Sequence, residues 1–88
     1  MSKPYLEITY RLGRPFAAYL YLSRQAGDRV QRSVPHGPLV VDYTQDGRPI
    51  GVEITGVSAS VPAVLRQLLA DLQVQNVDAR ELAPLGAA

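Results

Sequence analysis

The chain has 88 residues, which is enough for one domain with a modest core. Nine basic and eight acidic side chains leave a formal charge of +1, which argues against a strongly electrostatic partner such as duplex DNA. The sequence contains no cysteine, so disulfides, thiolate metal sites and cysteine nucleophiles are excluded. Apolar stretches fall well short of the roughly 20 residues that span a bilayer. We therefore expect a single cytoplasmic domain, residues 1–88, with no membrane partner.

Three alternating stretches in the first half of the chain predict β-strands at about residues 5–10, 16–23 and 29–34. Both sides of the second stretch are apolar or aromatic, which favours an interior strand covered on two faces. The third stretch is polar and indicates an edge strand. Residues 35–38 contain two prolines and predict an irregular loop.

Two further strands, at about residues 39–44 and 49–55, are predicted to form a hairpin around Asp46-Gly47. An Asp-Gly pair between alternating runs favours a type I′ turn, in which both central residues have positive φ. Gly51 leaves bare backbone inside the second strand, so we expect the ring of Tyr19 or Tyr21 to lie over it.

A two-residue turn at this position also fixes the pairing of the hairpin. The expected apolar pairs are Tyr43–Ile50, Val41–Val52 and Leu39–Ile54, and on the reverse side Asp42 faces Gly51 and Val40 faces Glu53.

One helix is predicted, at about residues 61–75, with Ser60 as its N-cap and Pro62 in its first turn. Its apolar stripe has one obvious place to pack, the side of the hairpin that carries Val41 and Val52. Residues 77–88 are predicted as a tail that holds a short helix or strand and frays at its end. The expected fold class is therefore α+β, an antiparallel meander of about five strands with one C-terminal helix packed on one face.

Three segments carry a family resemblance: ITY at residues 8–10, AAYLYLS at 17–23 and VVDYTQDGRPIGVEI at 40–54. They resemble the small bacterial family named domain of unknown function 2283. The positions that match its hairpin motif are Asp42, Asp46, Gly47, Gly51 and Glu53, whereas Arg11, Pro15 or Phe16, and Thr44 stand where the family usually has aspartate. The resemblance implies a small β-sheet packed by a helix, and it allows an antitoxin role beside a small toxin-like protein.

Two side chains form a candidate acidic site, Asp42 and Glu53, which the predicted register places diagonally across the hairpin. They could bind a metal or ligand, or serve a small hydrolase, but they could equally pair with arginines or face water. His36 is the sole histidine, and Ser33 lies near it in sequence. One histidine with no second soft ligand is a poor zinc site, so we assign no catalytic residue and no metal or other cofactor.

Tyr5, Tyr19 and Tyr21 are predicted to share the side of the sheet that faces away from the helix. Arg14 and Arg24 interleave with these aromatic residues, as in single-strand nucleic-acid platforms, but the near-zero charge argues against nucleic acid. An amphipathic aromatic surface suits another protein or a second copy of the chain. We therefore expect a non-enzymatic protein-interaction module that acts as a homodimer, with an antitoxin and an acidic-site protein as the alternatives.

Overall fold

A computed structural model describes residues 3–87 of the chain, with side chains up to residue 86. These residues form a five-stranded antiparallel sheet with an α-helix and a 3₁₀ helix, and the predicted α+β class is confirmed. In chain order the elements are β1 (Tyr5–Arg11), β2 (Arg14–Tyr21), β3 (Arg32–His36), β4 (Leu39–Tyr43), β5 (Pro49–Ile54), α1 (Val61–Asp71) and the C-terminal 3₁₀ helix (Ala79–Ala87).

The strands lie side by side in the order β1-β2-β5-β4-β3, so β1 and β3 are the edges. Three connections are hairpins between neighbouring strands, whereas residues 22–31 carry the chain from β2 past the ends of β5 and β4 to the far edge. Backbone bonds hold this crossing segment to the sheet, from Leu22 N to the Ile50 carbonyl (3.2 Å) and from Gln31 N to the Tyr43 carbonyl (2.7 Å). The interior position predicted for β2 and the edge position predicted for β3 are both confirmed, but the helices cover β2 on one face and not on two as predicted.

The hydrophobic core lies between one face of the sheet and the two helices. Its buried members are Ala18, Leu20, Leu22, Leu39, Val41, Val52, Ile54, Val61, Leu65, Leu68, Leu69, Leu82 and Leu85. The apolar stripe of α1 therefore packs on the predicted side of the hairpin. The other face of the sheet carries neither helix.

The tight turn between β1 and β2 contains two successive residues with positive φ angles. Leu12 has φ +53° and Gly13 has φ +78°, as a type I′ turn requires. Leucine in the left-handed region is strained because its Cβ approaches the following carbonyl oxygen. The Leu12 side chain is also 95% exposed, so no packing within the described residues compensates this strain.

The turn between β4 and β5 has a different form from the one predicted. Gly47 N–H donates to the Thr44 carbonyl (3.0 Å), and Thr44 N–H donates to the Arg48 carbonyl (2.9 Å). The loop therefore contains three residues, 45–47, in which only Gly47 has positive φ (+85°). The type I′ prediction at Asp46-Gly47 is wrong because the Asp46 carboxylate is bonded to the Thr44 hydroxyl and pairs with Arg48 (3.1 Å), and these contacts hold a longer turn.

A β-bulge restores the predicted register after this longer turn. Tyr43 pairs with Pro49 and not with Ile50, and the register shifts by one residue between Tyr43 and Asp42. The extra loop residue and the bulged Ile50 cancel each other. The predicted pairs Val41–Val52 and Leu39–Ile54 are therefore confirmed, and so are Asp42–Gly51 and Val40–Glu53.

Strand β3 is shifted toward the C-terminus relative to the prediction of residues 29–34: it begins at Arg32 and continues through Pro35 to His36, which pairs with Leu39. The loop expected over residues 35–38 is reduced to the two residues Gly37-Pro38, because Gly37 takes φ +60° at the first central position. Pro35 is tolerated because β3 is an edge strand, where one outward-facing position needs no donor.

Helix α1 ends at Asp71 instead of near residue 75. Gln73 adopts φ +58°, its N–H donates to the Ala70 carbonyl (3.0 Å), and Val74 N–H donates to the Leu69 carbonyl (2.9 Å). This is a Schellman motif with glutamine in the position that glycine usually fills, so the sequence gives no stop signal here.

The C-terminal segment forms part of the core. Leu82 and Leu85 are buried in the 3₁₀ helix, and Glu81 Oε1 accepts a hydrogen bond from Leu6 N (2.9 Å) on β1. The segment predicted as a tail with a short helix or strand is therefore a 3₁₀ helix that packs against the rest of the domain. Ala88, at the end that was predicted to fray, lies outside the described residues.

Candidate functional site: the tyrosine face

The sheet face opposite α1 gathers the aromatic residues that the alternation predicts. We call it the tyrosine face and define it by Tyr5, Glu7, Tyr19, Tyr21 and Glu53. The register places Tyr5 beside Tyr21 and Glu7 beside Tyr19 on β1 and β2, and it places Tyr19 beside Glu53 on β5. Since their neighbours in sequence point into the core, these side chains share the other face.

The three tyrosine rings form a continuous stack. The ring centroids of Tyr5 and Tyr21 are 4.5 Å apart with an interplanar angle of 13°, and those of Tyr19 and Tyr21 are 4.7 Å apart at 12°. Tyr5 is 47% exposed at the outer end of this stack. The rings therefore hold each other in fixed orientations while keeping a surface open to solvent.

Tyr19 anchors the stack to the sheet. Its ring lies over Gly51, where an added Cβ would collide with the ring and hydroxyl, so the predicted cover of this glycine is confirmed. The Tyr19 hydroxyl donates to Asp42 Oδ2 (2.6 Å). Burial and the hydrogen bond to the Asp42 carboxylate together raise the pKa of Tyr19 well above its ordinary value.

The acidic pair does not come together as a joint site. Asp42 and Glu53 occupy the expected diagonal positions on β4 and β5. Asp42 Oδ2 accepts from Tyr19 and Asp42 Oδ1 accepts from the Ser33 hydroxyl (2.5 Å), and among the described residues no hydrogen bond joins Asp42 to Glu53. Both carboxylate oxygens of Asp42 are thus used to fix the face.

A nucleophile built from Ser33 and His36 is also excluded by geometry. The two residues are three positions apart on β3, so their side chains point to opposite faces of the sheet. Ser33 bonds Asp42 on the tyrosine face, whereas His36 lies on the helix side with Gln67 and Asp71, beside a groove of about 530 Å³. Within residues 3–86, His36 Nε2 is a buried atom with no hydrogen-bond partner.

Two charged residues flank Tyr21 on the tyrosine face. The Tyr21 hydroxyl donates to Glu7 Oε1 (3.4 Å), and the charge of Glu7 raises the pKa of Tyr21. The Arg24 guanidinium lies 5.1 Å from the Tyr21 ring centroid, and its Nε donates to the Ile50 carbonyl of β5 (3.2 Å). Sequence reasoning missed Glu7 as a site residue, although its alternation with Tyr5 is the signal that would have found it.

Each edge strand of the sheet has one outward-facing backbone position that cannot donate to an added strand. On β1 the outward-facing N–H of Leu6 donates a hydrogen bond to the Glu81 carboxylate (2.9 Å) and is therefore not available to an added strand. On β3 the two-residue turn makes His36–Leu39 a hydrogen-bonded pair, so the nitrogen of Pro35 faces outward and has no proton to donate. A blocked donor of this kind weakens the pairing of an edge strand with another chain.

Among residues 3–87, no group of three or more histidine, aspartate or glutamate side chains could hold a metal ion. In the same range, no helix is long and apolar enough to cross a membrane.

No family model, curated protein or solved structure matches the chain. The resemblance to domain of unknown function 2283 thus stays a prediction from the sequence.

Proposed function

We propose that the protein is a non-enzymatic interaction module that forms a homodimer through its tyrosine face. The observation that carries the proposal is the ordered stack of Tyr5, Tyr21 and Tyr19, which is exposed at Tyr5 and half-buried at Tyr19 and Tyr21. Tyrosine is enriched at protein interfaces because it offers a large amphipathic surface. Since the rings already hold each other in place, binding costs little further side-chain entropy.

The remaining surfaces of the sheet support the same assignment. The opposite face is covered by α1 and the C-terminal 3₁₀ helix, whose leucines are buried against it. Each edge strand has one backbone position that cannot donate, at Leu6 and at Pro35. The tyrosine face is the face of the sheet that neither helix covers.

The polar groups of the face favour binding over catalysis. Asp42 holds Tyr19 and Ser33 in place with both of its oxygens. A general base needs a lone pair aimed at a substrate, and a metal ligand needs one aimed at the ion. The hydrogen bonds of Asp42 instead fix the stack in its orientation.

The test is the molar mass in solution, measured by sedimentation velocity over a range of concentrations, for the wild type and for Tyr21→Ser. We expect the wild type to approach the mass of two chains as its concentration rises, and Tyr21→Ser to remain at one chain. Tyr10→Ser is the matched control, because Tyr10 is 58% exposed at the other end of β1 and its loss should leave the association unchanged.

A wild-type chain that stays monomeric at millimolar concentration would overturn the proposal. Equal association of the wild type and Tyr21→Ser would show that a different surface is used.

A further inference from the structure

Tyr21 lies between two opposite charges on the tyrosine face, which also carries Glu53 beside Tyr19. On one side its hydroxyl contacts Glu7 of β1 (3.4 Å), and on the other side its ring contacts the guanidinium of Arg24 (5.1 Å). Arg24 is in turn anchored to the Ile50 carbonyl on β5 (3.2 Å). Glu7 is on β1, and Arg24, in the segment that follows β2, is held at β5, so the two charges flank Tyr21 on the β1 side and on the β5 side.

This arrangement is self-complementary under two-fold symmetry. In an isologous dimer, a side chain on the symmetry axis contacts the same side chain of the partner. When two different groups lie on opposite sides of the axis, the first group of one copy contacts the second group of the other copy. When two copies pack face to face, the two-fold axis lies between the faces and parallel to them. If this axis passes by Tyr21 at right angles to the line from Glu7 to Arg24, Glu7 of each copy comes to lie opposite Arg24 of the other.

We infer that two copies pack face to face around Tyr21, with Glu7 of each paired with Arg24 of the other. The inference rests on the proposed homodimer and specifies its geometry. It explains why the partner is a second copy: opposite charges in this register attract, whereas a shifted register places like charges together and is disfavoured.

Two single charge reversals test the pairing. Glu7→Arg alone places two arginines together at each of the two symmetric contacts, and Arg24→Glu alone places two glutamates together there. Exposed ion pairs contribute modestly, but each reversal acts twice in a symmetric dimer, so we expect each variant to dimerise about tenfold more weakly.

Mixing the two variants is the decisive step. In a heterodimer of Glu7→Arg with Arg24→Glu, both contacts again join opposite charges, because each chain supplies the sign that the other one lacks. We therefore expect an equimolar mixture to form a 1:1 complex with an affinity within about threefold of the wild type. Sedimentation velocity with one variant fluorescently labelled measures this complex directly.

The controls separate folding from association. Arg24 also contacts Tyr19 and Ile50, so urea unfolding must show that each variant keeps a folded fraction close to one, and Arg24→Gln serves as a milder variant. If the wild type dimerises but the mixture gains nothing over the separate variants, the pairing is overturned while the homodimer stands. If the wild type is monomeric, the proposed function itself fails.

Discussion

At the scale of single residues, the tyrosine face depends on one hydrogen bond between β2 and β4. The Tyr19 hydroxyl reaches across Gly51 to Asp42, at 2.6 Å, and places the Tyr19 ring against Tyr21. Glycine at position 51 is what permits this, since any Cβ would occupy the space of the ring. Asp42 therefore acts as a positioning residue for the aromatic stack.

The pH dependence of stability should report this bond. The pKa of Tyr19 is raised in the folded chain by burial and by Asp42, so the folded state retains the phenol proton more tightly than the unfolded state does. The bond therefore stabilises the fold fully below the unfolded pKa of about 10, and this contribution is lost as the pH rises above it.

At neutral pH the free energy of unfolding of Tyr19→Phe should be about 1–2 kcal/mol lower than that of the wild type, because the Asp42 carboxylate loses a hydrogen-bond donor. It should also lose less stability than the wild type between pH 9 and pH 11, measured by urea denaturation. Tyr10→Phe is the control and should match the wild type. Identical pH profiles for Tyr19→Phe and the wild type would show that the phenol is not held by Asp42.

At the scale of elements, the alternation of apolar residues was sufficient to locate most of the sheet. The observed bounds of β1, β2, β4 and β5 lie within two residues of the predicted ones. The same alternation placed Tyr5, Tyr19 and Tyr21 on one face, because a strand's period of two is a local property of its sequence. The candidate site was therefore largely visible in the sequence.

The elements that the sequence did not predict depend on contacts distant in the chain or on unusual backbone angles. The end of α1 was missed because glutamine, not glycine, occupies the left-handed position after it. The C-terminal segment was predicted to hold a short helix or strand, but its packing into the core was missed because Leu82 and Leu85 follow no clear period, and the surface on which they pack is formed by the distant elements α1, β1 and β2. The carboxylate of Glu81 on Leu6 N likewise joins the two ends of the chain.

The turn between β1 and β2 gives a prediction about local strain. Leu12 has φ +53° and is 95% exposed, so Leu12→Asn removes no packing and introduces a residue that tolerates this angle. We expect the free energy of unfolding to rise by about 1 kcal/mol, measured by urea denaturation.

Gly13→Ala is the matched control in the same turn, because alanine is strained at φ +78° and should destabilise the chain by a similar amount. A loss of stability in Leu12→Asn would mean that the leucine side chain is covered in solution.

At the scale of the whole molecule, the fold divides the sheet into a covered face and an open one. Both helices lie on the face that holds the core, and the crossing segment at residues 22–31 runs past the strand ends and reaches the other face with the side chain of Arg24. A small domain buries a limited fraction of its surface, so the association that we propose through the tyrosine face would add to the stability supplied by the core.

The most direct test of the central claim is an isotope-filtered NOE experiment on a mixture of labelled and unlabelled wild-type chains at high concentration. Contacts between different copies should involve the ring protons of Tyr5 and Tyr21. Contacts between copies that instead involve exposed α1 residues such as Arg66, or the Leu12 turn, would contradict the account.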